Sequence, residues 1–491
     1  MKAMKRILIL TFAMSCIASL FGQGADDACL YSQNYYQGTA KALGMGNALG
    51  AVGGDMTSVC INPAGMGLYR SNEFTTTLNL LDNYHSSTYY DTRNGGNKMR
   101  LSIPNVGYVS YNERSNYKPL RATQFGIGLT RTDDYNIRTR ARGINPTSSK
   151  IDSYLSQIDG YSEDDLADCF PYDIYPAWQT YLIDIYQDDQ GDYFSSPVPQ
   201  GNIWQGQKNT FKGRSEEWSF AGSANYRDRL FLGASVNVAH IKRVGTRIFD
   251  EAHPDGADPE SGFNDWSYSE DLSSTGWGCN AKVGFIFHAT PWMRIGGAFH
   301  SPTIYAFDET WQTETESEIG YITRKYICLE SHYEYTFIKP LRWVGSMAFV
   351  IGQQGMVSFD AEYTNFAAAR FKAAADDDYD YTPTNDQIKE KYGHTFNFRL
   401  GTEWNLGGNY VRLGAGYYGS PFGLGETAGS VKKASCGISL PVADDTTFDF
   451  AYELTYGKTY LYLYDAGELG IEPINQKQFK SNLAATLKVR F

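Results

Sequence analysis

Residues 479–491, FKSNLAATLKVRF, alternate between two kinds of side chain. Phe479, Ser481, Leu483, Ala485, Leu487, Val489 and Phe491 fall on one face of an extended chain, and Lys480, Asn482, Thr486, Lys488 and Arg490 on the other. A period of two marks a β-strand with one apolar and one polar side. The pattern returns between Phe396 and Trp404, where Phe398 and Leu400 interleave with Arg399 and Glu403. It returns again between Thr446 and Tyr456, where Phe448, Phe450, Tyr452 and Leu454 interleave with Asp449 and Glu453.

Working outward, the sequence predicts strands near 71–82, 99–112, 121–133, 215–226, 230–244, 275–288, 292–306, 336–351, 355–370, 394–405, 410–419, 430–441, 446–460 and 479–491. Their connectors alternate in length. Arg227-Asp228-Arg229, Ala289-Thr290-Pro291, Gly352-Gln353-Gln354 and 406–409 are short, whereas 83–98, 134–214, 245–274, 307–335, 371–393, 420–429 and 461–478 are long. Membrane barrels have an even strand number, short periplasmic turns and long extracellular loops. A soluble two-layer sandwich also alternates apolar and polar residues, but has no reason to alternate its loops. The expectation is an all-β, 14-stranded antiparallel transmembrane barrel over 71–491, with both termini periplasmic. Its apolar faces point to lipid, because a Lys or Arg on the lipid side at the midplane costs about 2–4 kcal/mol.

Composition agrees. The chain has 37 Tyr, 27 Phe, 9 Trp and 49 Gly, which suits many strands flanked by aromatic girdles. A net charge of −12 without a basic cluster speaks against a nucleic-acid partner. Lys2, Lys5 and Arg6 precede an apolar run from Ile7 to Phe21 and then Gly22-Gln23-Gly24, the pattern of a secretory signal over 1–24. Cys16 as a lipoprotein acceptor fits poorly, since apolar residues continue past it. No later run reaches the roughly 20 apolar residues of a membrane helix, so strands must do any spanning.

Between the leader and the first strand lies AKALGMGNALGAVGGDMTSVCINPAGMGL, residues 40–68, small and Gly-rich with no sustained period. Its GMGNALG run lacks the flanking strand and helix of a nucleotide-binding loop. A compact segment ahead of a barrel reads as a plug, 25–70, that fills the lumen.

With Asn62, Pro63 and Ala64 followed by Gly65, the chain resembles the outer-membrane long-chain fatty acid and aromatic-hydrocarbon transporters of the FadL family, whose N-terminal hatch carries an Asn-Pro-Ala motif. Gly276 to Pro302 and Asn397 to Gly416 resemble that family's paired strands. The C-terminal Phe491 resembles the signal read by the barrel assembly machinery. The resemblance implies a Gram-negative outer membrane, contact with its lipid, and a hydrophobic small-molecule ligand such as a long-chain fatty acid. A hemin receptor of the same fold and a scaffold of secretion machinery are the alternatives. The family is thought to use a lateral opening at a kinked strand, and Gly126 and Gly128 are the candidate kink, glycine being permissive of bends. An apolar pocket above the plug is expected, with exit through the wall or by plug displacement, because Arg399, Glu403, Arg412, Asp449, Glu453, Lys480 and Lys488 make the lumen polar.

In the long 134–214 insertion, Pro176 opens an expected helix on which Ala177, Trp178, Tyr181, Leu182, Ile185 and Tyr186 form an apolar stripe, a candidate ligand-capture loop or else a packing face. Asp376-Asp377-Asp378-Tyr379-Asp380 reads as a solvated loop tip, with calcium the alternative. No GxSxG nucleophile elbow, HExxH motif or P-loop is present, so neither catalytic residue, metal nor cofactor is expected. Six cysteines follow the leader. Isolated thiols are the simplest reading, with a Cys29–Cys60 bond the alternative.

Overall fold

The computed structural model describes residues 23–114, 118–188, 191–375, 377–464 and 471–491. The leader up to residue 22, Cys16 and Asp376 lie outside the described residues.

The chain begins with α1 (Ala25–Ser32), α2 (Ala40–Gly44), α3 (Ser58–Ile61) and a 3-10 turn (Pro63–Leu68). The wall then starts with β1 (Glu73–Tyr89), β2 (Thr92–Glu113), β3 (Leu120–Asp134) and β4 (Ile137–Asn145). The insertion contributes α4 (Lys150–Gln157), α5 (Glu163–Cys169), α6 (Ile174–Gln179), and a hairpin of β5 (Asp184–Asp188) and β6 (Gly191–Ser195). There follow β7 (Ile203–Tyr226), β8 (Leu230–Ala252), β9 (Phe263–Thr290), β10 (Met293–His300), β11 (Thr303–Ile319), β12 (Ile322–Ile327), β13 (Ser331–Lys339) and β14 (Arg342–Ile351). The chain continues through β15 (Gly355–Asn365), β16 (Arg370–Ala373), α7 (Thr382–Lys391), β17 (His394–Leu406), β18 (Asn409–Tyr418), β19 (Val431–Pro441), β20 (Thr446–Leu461) and β21 (Ile474–Arg490).

All wall neighbours are antiparallel, and β1 pairs with β21 from Glu73↔Arg490 to Thr88↔Asn475, which closes the sheet. Four wall strands are broken in two. Ser301-Pro302 separates β10 from β11, Pro340-Leu341 separates β13 from β14, a 3-10 turn at Phe366–Ala368 separates β15 from β16, and Tyr135-Asn136 separates β3 from β4, which both pair with β7. Proline has no N–H for the ladder, which accounts for the first two breaks. Joined across these breaks, the wall is a closed barrel of fourteen strands.

The alternation works as read. Phe448, Phe450, Tyr452 and Leu454 are 38–49% exposed on the outside, while Asp449 and Glu453 are 1% and 4% exposed inside. The inward charges satisfy one another. Arg399 Nη1 donates to Glu362 Oε2 at 3.1 Å, Arg412 Nη1 to Asp449 Oδ1 at 3.4 Å, and Lys433 Nζ to Glu453 Oε1 at 3.1 Å. Buried charges need such partners, since an unpaired one costs several kcal/mol.

The expected loops at 83–98, 245–274 and 307–335 are a correction. β1 and β2 pair up to Tyr89↔Thr92, β8 and β9 up to Ala252↔Asp265, and β11 runs to Ile319. Beyond the apolar belt both faces of these strands are polar, as in Thr310, Thr313, Glu314 and Glu316, so the hydropathy period vanishes while the backbone ladder continues.

The insertion folds over the mouth at the far end from the short turns. Tyr89, Ile151, Leu166, Ile174, Leu182, Phe249 and Trp266 form one buried cluster there. At its centre the Glu251 carboxylate accepts from Ser149 Oγ at 2.6 Å, Lys150 N at 2.8 Å, Gln205 Nε2 at 2.7 Å and Trp266 Nε1 at 2.7 Å. Replacing Glu251 with Leu orphans four donors. A local loss of about 2–5 kcal/mol is expected, read as faster amide exchange over α4 with the barrel unchanged.

Candidate functional site

The hatch packs backbone against backbone. A Cβ at Gly296 would lie 2.5 Å from the Gly50 carbonyl oxygen, and one at Gly414 would overlap the Met45–Gly46 peptide. Gly46 itself has φ +60°, where glycine is preferred. Gly414→Ala is therefore expected to push the hatch off the wall, seen as new proteolytic cleavage between residues 40 and 68 in otherwise folded protein. Asn62, fully buried, holds the hatch three ways. Its Oδ1 accepts from Ala64 N at 3.1 Å, and its Nδ2 donates to Gly50 O at 2.7 Å and to Phe285 O of β9 at 3.0 Å. Pro63 starts the 3-10 turn, needing no donor there, and the Gly65 carbonyl accepts from Gly54 N at 2.9 Å.

Sequence reasoning passed over Asp55, although it is one of two charged residues in the 40–68 run. It accepts from Thr39 Oγ1 at 2.7 Å and Thr57 N at 2.9 Å, and pairs with Lys488 of β21 at 3.0 Å. Burial pushes this carboxyl up, but Lys488, Lys41 and the Thr39 hydroxyl outweigh burial and hold it at about 2. Asp360 was also missed; its Oδ2 accepts from Gly50 N at 3.0 Å. His300, buried, bonds the Ile61 carbonyl at 2.9 Å.

Above the hatch, α1 stands in the lumen among aromatic rings. Tyr31 stacks on Phe307 at 5.1 Å, and Phe337 lies 5.1 Å from Phe371. In place of a purely apolar chamber, these rings and α1 form one packed cluster above the plug. Beside α1 is instead a mixed cavity of about 640 Å³ between Leu30, Phe211, Leu272 and Trp311 on one hand and charged groups on the other. It opens to solvent where Lys391 pairs with the 77% exposed Asp26. A second cavity of about 260 Å³ shares Leu30 and Arg243 with the first and reaches Asp133, Asp134 and Ile137 in the wall.

The second cavity ends at a seam. β2 and β3 are paired only from Glu113↔Ala122 to Asn105↔Thr130. Past Pro104, β2 keeps a ladder with β1 alone and packs on β4 without one, Asn94 Nδ2 donating to the Arg142 carbonyl at 3.1 Å, while β3 shifts register against β7 between Arg131 and Asp133 and bonds instead to the hatch leader, Tyr35 N donating to Thr132 O at 2.7 Å. Side chains close the breach. Arg131 Nη1 donates to Ser102 Oγ at 2.6 Å, and Arg100 Nη1 to Asp134 Oδ2 at 2.9 Å.

Gly126 and Gly128 lie one turn of pleat below the seam in unbroken ladder with β2 and β7, so they are not the kink. They make room for the hatch, a Cβ there meeting the side chains of Met66 and Met56. The five candidate capture residues do not share a helix face. α6 ends at Gln179, the Thr180 hydroxyl bonds back to the Pro176 carbonyl at 2.8 Å, and Tyr181 turns to φ +60°. Trp178 packs on Phe194, Leu182 is buried, and Ile185 and Tyr186 sit on the β5–β6 hairpin. The Arg324 guanidinium covers the Tyr181 ring at 4.2 Å. Phe491 is exposed and stacks on Tyr108 at the turn end of the barrel.

The six cysteines are free, so the Cys29–Cys60 bond is absent. Burial pushes the Cys29 thiol up to about 12 and raises Cys60, leaving both unreactive. The one cluster with metal-ligand spacing among the described residues, Asp308, His332 and Glu334, is fully surface-exposed on the outer wall, away from both cavities.

No protein-family profile matches the sequence, and no curated relative does. Solved structures do. A Pseudomonas aeruginosa FadL homologue superposes with a TM-score of 0.59 at 12% identity, covering 94% of this chain and 100% of its own. The P. putida toluene transporter TodX gives 0.55 at 11% identity, covering 94% and 99%. The Ralstonia pickettii toluene transporter TbuX gives 0.53 at 14%, covering 94% and 100%. The chain shares their fold. Identities this low establish the architecture of barrel and internal hatch, and leave the ligand to be argued from this chain's own residues.

Proposed function

We propose that the protein is an outer-membrane channel of the FadL type in a Gram-negative bacterium, with both termini periplasmic, and that it passes small hydrophobic molecules inward without energy input. The observation that carries the reading is the succession around α1 of a solvent-open cavity, a second cavity that shares Leu30 and Arg243 with it, and the wall seam. A molecule entering beside Lys391 reaches the seam without crossing the hatch, and leaves sideways into the apolar bilayer. Each methylene that reaches hydrocarbon gains about 0.8 kcal/mol, which is drive enough.

The cavity's charges narrow the ligand. Arg243 pairs with Asp27 at 2.7 Å, Arg247 with Glu270 at 3.3 Å and Lys391 with Asp26 at 2.7 Å, and Glu390 adds a further carboxylate. In the larger cavity a fatty acid anion or the propionates of hemin would meet only cations already paired, whereas the second cavity offers Lys458 and Lys480. Uncharged hydrophobic compounds suit the larger cavity's lining better, and the toluene transporters of the same fold give a precedent.

The test is uptake of radiolabelled toluene, oleate and hemin by cells with and without the gene. Toluene entry that depends on the protein, with oleate entry lower, is the expected result. Protein-dependent entry of hemin or oleate alone overturns the ligand assignment, and entry of none of the three overturns the transport reading.

A further inference from the structure

The outer wall carries a row of cations that the transport reading does not use. Arg138, Arg140 and Arg142 of β4 project outward beside Lys208 of β7, in register at Arg140↔Lys208. Lys212 and Arg214 of β7 and Lys242 of β8 continue the row downward, Arg214 lying opposite Lys242. Three carboxylates share or border this face. Glu216 pairs with Arg214 at 2.9 Å, Asp250 lies at the base of the groove near Arg142 and Arg140, and Asp271 of β9 accepts from the outward Thr246 hydroxyl. Among the described residues, Arg138, Arg140, Lys208, Lys212 and Lys242 form no ion pair, although the whole chain carries −12. Like charges side by side on a sheet repel, so an uncompensated row is costly until an anion bridges it.

The row's position names the anion. Trp218 and Val238 end the lipid-facing apolar belt on β7 and β8, the Glu216–His240 rung lies next above them, and Arg214 and Lys242 follow it. From Arg214 to Lys208 the strand climbs roughly 15 Å, at about 3.3 Å per residue and a tilt near 40°. Arg138, Arg140, Arg142, Lys208 and Asp250 surround a groove of about 410 Å³ against Gly95 at the edge of β2. A phospholipid phosphate would occupy only the lowest step. An acidic saccharide headgroup, with phosphates and carboxylates spaced outward from the bilayer surface, spans the row. We propose that this face binds the headgroup of lipopolysaccharide in the outer leaflet, Arg and Lys engaging its anionic oxygens by charge-assisted hydrogen bonds. The assignment rests on the orientation given under the proposed function.

The probe is purified rough lipopolysaccharide titrated into the full-length protein in neutral detergent, followed by native mass spectrometry. The variant is Arg138→Gln with Arg140→Gln and Lys208→Gln. At least about a tenfold loss of affinity is expected, with heat-modifiable migration unchanged. Equal binding by variant and parent overturns the proposal. So does displacement by phosphatidylglycerol or inorganic phosphate at equal concentration, which would make the face a general anion site. If the triple variant does not assemble, Arg140→Gln and Lys208→Gln singly carry the same test. Labelling of Lys208→Cys by an impermeant maleimide on intact cells checks the orientation separately, so failure of the lipid site and failure of the orientation are read apart.

Discussion

Bridging the wall seam is expected to stop uptake while leaving the barrel intact. In a background with the six cysteines replaced, Ser102→Cys and Arg131→Cys put thiols on the two sides of the breach where Arg131 now reaches the Ser102 hydroxyl at 2.6 Å. A short bismaleimide should lower toluene uptake by an order of magnitude or more, and a monofunctional maleimide should not. Elsewhere in the barrel a lateral passage would require breaking a continuous backbone ladder, of nine rungs between β18 and β19 and ten between β14 and β15. Between β2 and the β3–β4 edge above Asn105 no backbone ladder has to break; the contacts that must part are the packing of Gly96 on the Arg138 carbonyl and side-chain bonds such as Arg100–Asp134 at 2.9 Å, Asn94 to the Arg142 carbonyl at 3.1 Å and Lys98 to the Phe211 carbonyl at 3.2 Å. Charged pairs at such a site exchange readily when one partner finds water. Undiminished uptake by the bridged protein would move the exit to the hatch.

The second large effect is expected from Lys488→Met. Lys488 lies 3.0 Å from Asp55 of the hatch and 2.9 Å from Asp449 of β20, and so ties wall and hatch by charge. Removing it leaves the buried Asp55 carboxylate without its ion-pair partner, while Asp449 keeps Arg412 at 3.4 Å, a loss of about 3–5 kcal/mol. The hatch should undock, giving open-channel conductance in planar bilayers and sensitivity to large antibiotics that the parent excludes. A silent membrane with the variant would show that the glycine contacts alone retain the hatch. Acid should act in the same direction. The Asp55 carboxyl is held below its ordinary 3.8, at about 2. A depressed carboxylate stabilises above its unfolded value and loses that contribution as pH falls through the folded one, so parental conductance should rise between about pH 4 and pH 2.

The wall was legible because lipid imposes a rule on every other residue. Phe450 and Asp449 cannot exchange faces without a penalty, and so the strand order, the short turns and the closed count could all be read in advance. Above the belt that rule lapses. Water is on both sides of Thr310 and Glu314, and extended hairpins look like loops. The stripe at 177–186 failed for a related reason, since its apolar spacing serves burial against the mouth cluster and the Thr180 hydroxyl ends the helix early. The seam was invisible. Its existence depends on where a long-range ladder stops, and neither Pro104 nor Arg131 announces that alone. Gly126 and Gly128 drew attention to the right strand through their composition, yet they answer to the methionines of the hatch.

The interlocking of hatch and wall also constrains the order of construction. Gly44 lies against Gly437, Gly50 against Gly296, and Asn62 against Gly284, contacts that reach strands on several sides of the lumen. The far mouth is filled by the Tyr89–Trp266 cluster, and the last pairing to form joins the first strand to the last. Contacts this close on several strands, behind a filled far mouth, are made most simply while the wall is still open. In that order the earliest-made part of the mature chain is already folded small when the sheet wraps about it, serving as the mandrel on which the cylinder is wound.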